Sequence, residues 1–146
     1  MASFRCNDID GFVLDMESMA RLDGGAVDSI LSAGAEVVKK AHAAEIGRRF
    51  DRHTAKLIGS PAVYLKLGRN GERYALIYPQ GEHHRYRPKS GGDGVARNAD
   101  LGFVHEFGGH GNAATGWMRD ANDGCAGATD EAEEKAYDAW LKTHNL

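Results

Sequence analysis

Between Ala26 and Ile46 the residues Val27, Ile30, Leu31, Gly34, Val37, Val38 and Ala41 recur three and four apart. This is the stripe of an amphipathic helix. Lys39, Lys40 and Glu45 fall on its wet side. Gly24-Gly25 is expected to break the chain ahead of this helix. Gly47 and Arg48 suit its end, where glycine takes a left-handed conformation and cations meet the negative end of the dipole. Upstream, Phe4 to Leu14 alternate loosely and predict a short edge strand with a turn at Asp10-Gly11, inside an N-terminal arm over residues 1–24. Downstream, Asp51 to Ile58 is a weaker element closed by Gly59-Ser60-Pro61.

The period then shortens. Ala62 to Leu67 reads as a strand, Arg69-Asn70-Gly71-Glu72 carries the Asn-Gly hairpin signal, and Arg73 to Tyr78 is the return strand, stopped by Pro79. Residues 80–100 mix Gly and Pro with charges and histidines and predict a long flexible loop. Leu101 to Phe107 predicts a third strand, with Leu101, Phe103 and Phe107 apolar and Val104 on the other side. After a glycine-rich turn from Gly108 to Gly116, the remainder reads as helical. Thr129, with Asp130 and Glu131, can cap a last helix bearing Ala132, Ala136, Ala139 and Trp140 on one face. The expected architecture is α+β: a small antiparallel sheet with a long N-terminal helix and a C-terminal helix packed against it, in a single domain over residues 1–146.

The chain has 146 residues, of which 42% are hydrophobic and 27% charged, enough to bury roughly two-thirds of its unfolded surface without staples. No stretch approaches the ~20 apolar residues of a membrane span. Met1 to Asp10 hold no apolar run, so no secretion signal is expected. A net charge of −3 and a pI near 6.1 argue against a general nucleic-acid binder. Cys6 and Cys125 are too few and too far apart in sequence for a disulfide framework or a thiolate zinc site. The 19 glycines are clustered and mark the loops.

Three segments look like chemistry. His105-Glu106-Phe107-Gly108-Gly109-His110 invites a metal-hydrolase reading, in which two histidines hold zinc and the glutamate acts as base. Its histidines are five apart rather than four, and two glycines interrupt any helix, so local geometry does not make them converge. His83, His84 or Glu82 would have to complete the ligand set. The plainer reading is a strand end and turn that carry polar residues. Gly109-x-Gly111-x-x-Ala114 imitates a dinucleotide fingerprint but lacks the second strand with its acidic residue. Glu82 to Lys89 is locally basic around Tyr86, so Arg85, Arg87 and Lys89 outline a DNA-contacting alternative. No Gly-x-Ser-x-Gly nucleophile elbow occurs. Trp117, Met118, Tyr137 and Trp140 read as core or subunit-interface residues. His42, His53 and His144 read as exposed. No catalytic constellation emerges.

Three ordered blocks carry a family likeness: Thr54-Ala55-Lys56-Leu57 after the long helix, Phe103 to Gly109, and Gly116-Trp117-Met118-Arg119-Asp120-Ala121 at the start of the last helix. From about Ala26 to Leu146 the chain resembles the tail-completion proteins (type 1 neck, or head–tail joining, proteins) of long-tailed bacteriophages and prophages. Ala55, Gly109, Gly116 and Asp120 stand where that family's pattern has Gly, Thr, Pro and Pro. The resemblance implies a non-enzymatic virion protein of the neck that needs no cofactor and no membrane. Its partners would be copies of itself in a homo-oligomeric ring, head-closure or connector proteins, and tail-terminator or tail-tube proteins. DNA would pass through the channel without sequence-specific binding. Such a protein is found in the virion neck or tail, and in the host bacterial cytoplasm during assembly.

The signature residues on this reading are Thr54, Leu57, Glu106, Phe107, Gly108, Trp117, Met118 and Arg119. A buried Glu106 would need a donor, either Arg119 or nearby backbone N–H groups. His83, His84, Arg85, Tyr86, Arg87 and Lys89 form a partner-contact loop long enough to reach a neighbouring subunit. Net acidity suits a ring through which DNA slides. A small metal-dependent hydrolase using His105, Glu106 and His110 is the competing expectation.

Overall fold

The computed structural model describes residues 22–50, 55–86 and 88–144. The strand expected over Phe4 to Leu14, Cys6, His53, Thr54, Arg87 and Leu146 lie outside the described residues. The fold is α+β, with a long helix at each end of the described chain and antiparallel strands between them.

Helix α1 spans Gly24–Arg49. Gly24-Gly25 lies inside its first turn rather than ahead of it, because the Asp23 carboxylate caps the helix by accepting the Ala26 N–H at 2.7 Å. At the other end the helix runs through Gly47 and stops where Phe50 turns extended, its N–H still bonded to the Ile46 carbonyl. Phe50 then drops against the core. The buried positions of α1 are Ala26, Gly34, Ala35, His42 and Ile46, so the inward stripe lies to one side of the expected one. Val27, Ile30, Leu31, Val37, Val38 and Ala41 are half-buried, since α1 packs on both the C-terminal helix and the first hairpin.

A short helix α2, Ala55–Ile58, places the signature residue Leu57 in the core. Strands β1 (Pro61–Leu67) and β2 (Arg73–Pro79) form a hairpin in the register Val63↔Ile77, Leu65↔Ala75 and Leu67↔Arg73. Its loop holds Asn70-Gly71 and is closed by the Gly68 N–H on the Glu72 carbonyl at 2.7 Å.

Residues 80–100 correct the expected flexible loop. β3 (Glu82–Tyr86) and β4 (Gly94–Arg97) pair as a second antiparallel hairpin, bulged between Glu82 and His84. The Gly and Pro residues gather at Gly81 and in the turn at Pro88, Gly91 and Gly92, leaving the stretches on either side free to pair. The strands therefore form two two-stranded sheets, β1-β2 and β3-β4, rather than one.

The expected third strand is also corrected: α3 spans Asn98–Phe107. Its buried residues are Asn98, Gly102 and Glu106, four apart. A small and polar stripe thus faces inward, and a reading by apolar residues alone misses it. Asn98 donates from Nδ2 to the Gln80 carbonyl at 2.7 Å, and Gly102 lets the helix rest on Pro79.

Helix α4 is continuous over Trp117–Thr143 and begins well before the expected cap at Thr129. Each of Gly124 and Gly127 weakens a helix by about 1 kcal/mol relative to Ala. Trp117, Ala121 and Cys125, buried four apart, hold α4 together through packing. The pairs Arg49–Asp120, His42–Asn122 and Gly34–Glu133 run in opposite sequence order, so α1 and α4 are antiparallel. Ile46, Leu57 and Trp117 are fully buried and form the core, with Phe50, Ile58, Leu101 and Met118 around it.

Candidate functional site

The turn between α3 and α4 carries most of the expected signature. It starts at Gly108, whose φ of +82° suits glycine, and a Cβ there would meet the Ala114 nitrogen at 3.0 Å. Gly109 and Asn112 bridge each other, and the Thr115 N–H and hydroxyl both reach the His105 carbonyl at 2.8 Å. The chain is thereby folded back so that α4 starts beside the end of α3. The N-cap of α4 is Gly116, which has no side chain to cap with. Glu106 supplies the cap instead. The residue is 8% exposed, and its carboxylate accepts the Met118 N–H at 2.6 Å and the Arg119 N–H at 3.3 Å. An anion at a helix N-terminus satisfies otherwise orphaned donors and meets the positive end of the dipole.

Of the two expected donors to Glu106, the backbone one is found. The Arg119 guanidinium turns instead to Asp120 at 3.1 Å. Asp120 also receives Arg49 at 2.5 Å, and Arg49 spans to Glu45 at 2.6 Å and to the Thr115 carbonyl at 2.8 Å. Hydrogen bonds from Arg49 and then Arg119 hold the Asp120 carboxyl below its usual range. Arg49 thus ties the end of α1 to the start of α4. Nothing local in the sequence marks this tie, because the partners that make it, Thr115 and Asp120, lie 66 and 71 residues away.

His42 is 2% exposed, against the expectation of an exposed polar position. Its Nε2 lies 2.8 Å from Asn122 Oδ1, and its ring meets the edge of Trp117 at 5.3 Å. Burial lowers its pKa below the ordinary 6.5, against weaker upward pulls from Asn122 and Glu106. His144 is exposed.

The His-Glu-His segment divides three ways. His105 packs on Phe50 with ring centroids 4.3 Å apart, and burial lowers its pKa. The Glu106 carboxylate is occupied as the cap. His110, at φ +50°, lines a cleft of about 330 Å³ with His83 and His84. His83 Nδ1 lies 3.1 Å from Asn98 Oδ1. Among the described residues no three His, Cys, Asp or Glu side chains are grouped to hold a metal ion. Gly109-x-Gly111-x-x-Ala114 follows a helix, not a strand, so the dinucleotide geometry is missing.

The expected contact loop is β3 and its turn. Arg85 pairs with Glu82 at 3.3 Å, Lys56 donates to the His83 carbonyl at 2.9 Å, and Lys89 is exposed. Sequence reading passed over the large apolar surface elsewhere. On β1-β2, Val63, Ala75 and Ile77 alternate toward α1, while Tyr64, Tyr74 and Leu76 stand exposed on the opposite face. Tyr64 stacks on Tyr78 at 5.9 Å. On α3, Phe103 stacks on Phe107, which is 73% exposed. A period-2 pattern with apolar residues on both faces was the available signal.

Compared with protein-family models, curated proteins and solved structures, the chain matches none.

Proposed function

We propose that this chain is a structural subunit of the neck of a long-tailed phage or prophage. In this role it assembles as a homo-oligomeric ring between head-closure or connector proteins and tail-terminator or tail-tube proteins, and it catalyses no reaction. What supports the reading is how the side chains are used. Of the groups that a hydrolase would employ, Glu106 is engaged in capping α4 and His105 in packing on Phe50, whereas exposed aromatic and aliphatic side chains cover the β1-β2 ribbon and α3. Clustered apolar surface of this kind marks protein–protein contact. The capped turn fixes the relative placement of these surfaces, as a subunit that must fit several neighbours requires. Net acidity keeps passing DNA from adhering.

The test is reconstitution. Phage heads and tails made without this gene product remain separate, and adding the purified chain joins them. Failure to join particles under conditions where the intact phage assembles overturns the proposal. Stoichiometric zinc in the purified chain, with hydrolysis lost in Glu106→Gln, would establish the hydrolase reading instead.

A further inference from the structure

At the β1-β2 loop, Arg73, opposite Leu67, pairs with Asp28 at 2.5 Å and abuts Gly24. The ribbon there reaches the first turn of α1. Leu65 and Leu67 stand 38% and 63% exposed. Arg69, in the loop just beyond them, pairs with no carboxylate among the described residues, while Lys66 lies on the opposite face of β1. Lys66 only rests over the Tyr64 ring, 5.8 Å from its centroid, and Glu72 lies back over Gly68. The hairpin end is therefore an exposed apolar knob beside one cation, Arg69, that meets no carboxylate among the described residues.

A concave counterpart lies between the N-terminal part of α1 and the C-terminal half of α4. Leu22, Ile30 and Tyr137 line an apolar groove of about 310 Å³, rimmed by Glu133 and Glu134. Gly34 leaves room for the Glu133 side chain to lie against α1. Neither carboxylate pairs with a cation among the described residues. Among the described residues the knob carries an unopposed cation, Arg69, beside leucines, and the groove carries unopposed carboxylates around apolar walls. Each supplies what the other lacks.

We infer that the β1-β2 hairpin end of one copy of this chain docks into the α1-α4 groove of a second copy, seating Leu67 on Leu22, Ile30 and Tyr137. Arg69 then meets Glu133 and Glu134. This deepens the ring reading above and rests on its self-association. The two surfaces are different, so the contact is head-to-tail, the type that forms a ring when the rotation between neighbours closes. Opposite charges around a small apolar centre set register and partner choice.

The test uses the full chain in sedimentation velocity over a concentration series. Leu67→Glu, Arg69→Glu and Glu134→Arg alter exposed side chains and leave the core intact, as circular dichroism checks. Each is expected to weaken self-association about tenfold or more. Mixing Arg69→Glu with Glu134→Arg restores it, because each variant's altered surface meets its complement on the other. Three results overturn the contact: wild-type chain that stays monomeric at millimolar concentration, assembly indifferent to all three variants, or no recovery on mixing. The last two leave room for the groove to be filled from within the chain. Binding of single-stranded DNA oligonucleotide to the ribbon in place of self-association also overturns it. A failed contact with head–tail joining intact leaves the neck reading standing; intact self-association without joining removes the neck reading and keeps the contact.

Discussion

The Glu106 carboxylate and the Met118 N–H, twelve residues apart, are joined at 2.6 Å across the turn that links α3 to α4. Gly116, at the N-cap position, offers no side-chain acceptor, so the donors at the start of α4 depend on a residue from the preceding helix. The same contact sets the angle at which α4 leaves α3, and through α4 it sets where the groove at Tyr137 stands.

Glu106→Ala is therefore expected to destabilise the fold by about 2 kcal/mol, the sum of a lost cap and an unsatisfied, largely buried N–H. Glu106→Gln keeps one acceptor and is expected to cost about 1 kcal/mol. Urea denaturation of the two variants checks both values. A loss of under about 0.5 kcal/mol for the alanine variant would mark Glu106 as an ordinary surface carboxylate.

Stability is expected to fall with acid below about pH 6.5. The folded chain holds His42 below its ordinary value of 6.5, so the unfolded chain takes up the proton first as pH drops. The contribution of neutral His42 is complete above 6.5 and lost progressively below it. Among the described residues Nδ1 has no hydrogen-bond partner, so the charged ring would carry an N–H with no acceptor there. His105 acts in the same sense. Glu133, raised by burial and then by Asp130, acts oppositely but near the carboxylate range. Denaturation between about pH 5.5 and 7.5 isolates the histidines. His42→Gln should flatten most of the slope, leaving the part due to His105.

Much of this was legible in the sequence where a pattern was local and apolar. The first helix follows from its periodicity, and the β1-β2 hairpin from alternation around Asn70-Gly71. Glu106 and its backbone donors were reachable because a buried carboxylate demands a partner. Helix α3 was not, because its inward stripe is Asn98, Gly102 and Glu106 while Phe103 and Phe107 face out, inverting the usual signal. β3-β4 was hidden by glycines that belong to its turns. His42 and Arg49 gain their roles from partners at least 66 residues away, which no local window contains.

Trp117 donates from Nε1 to the Gly102 carbonyl at 3.0 Å inside the core. Trp117→Phe removes that donor and part of the ring volume, and is expected to cost about 2–3 kcal/mol. Trp117→Ala is expected to cost about 3–5 kcal/mol. An indole does not titrate, and a phenylalanine ring still covers His42 and Phe50, which Trp117 meets edge-on, so this variant should add no pH dependence of its own. Denaturant midpoints at pH 7.5 and 5.5 check the cost and its pH independence.

The glycines of α3 and α4 should respond oppositely to alanine. A Cβ on Gly102 would sit 2.9 Å from Pro79 Cγ and 3.5 Å from Trp117. Proline is rigid, so overpacking of about 1–3 kcal/mol outweighs the helix-propensity gain of up to about 1 kcal/mol. Gly102→Ala is expected to destabilise by about 1 kcal/mol. Gly124 and Gly127 have nothing within 4 Å of an added Cβ, so the propensity gain stands unopposed. Each alanine there should stabilise by about 0.5–1 kcal/mol. Thermal denaturation of the three single variants decides the matter. A stabilising Gly102→Ala would mean that α3 does not rest on Pro79, and a destabilising Gly124→Ala or Gly127→Ala would mean that this face of α4 is covered.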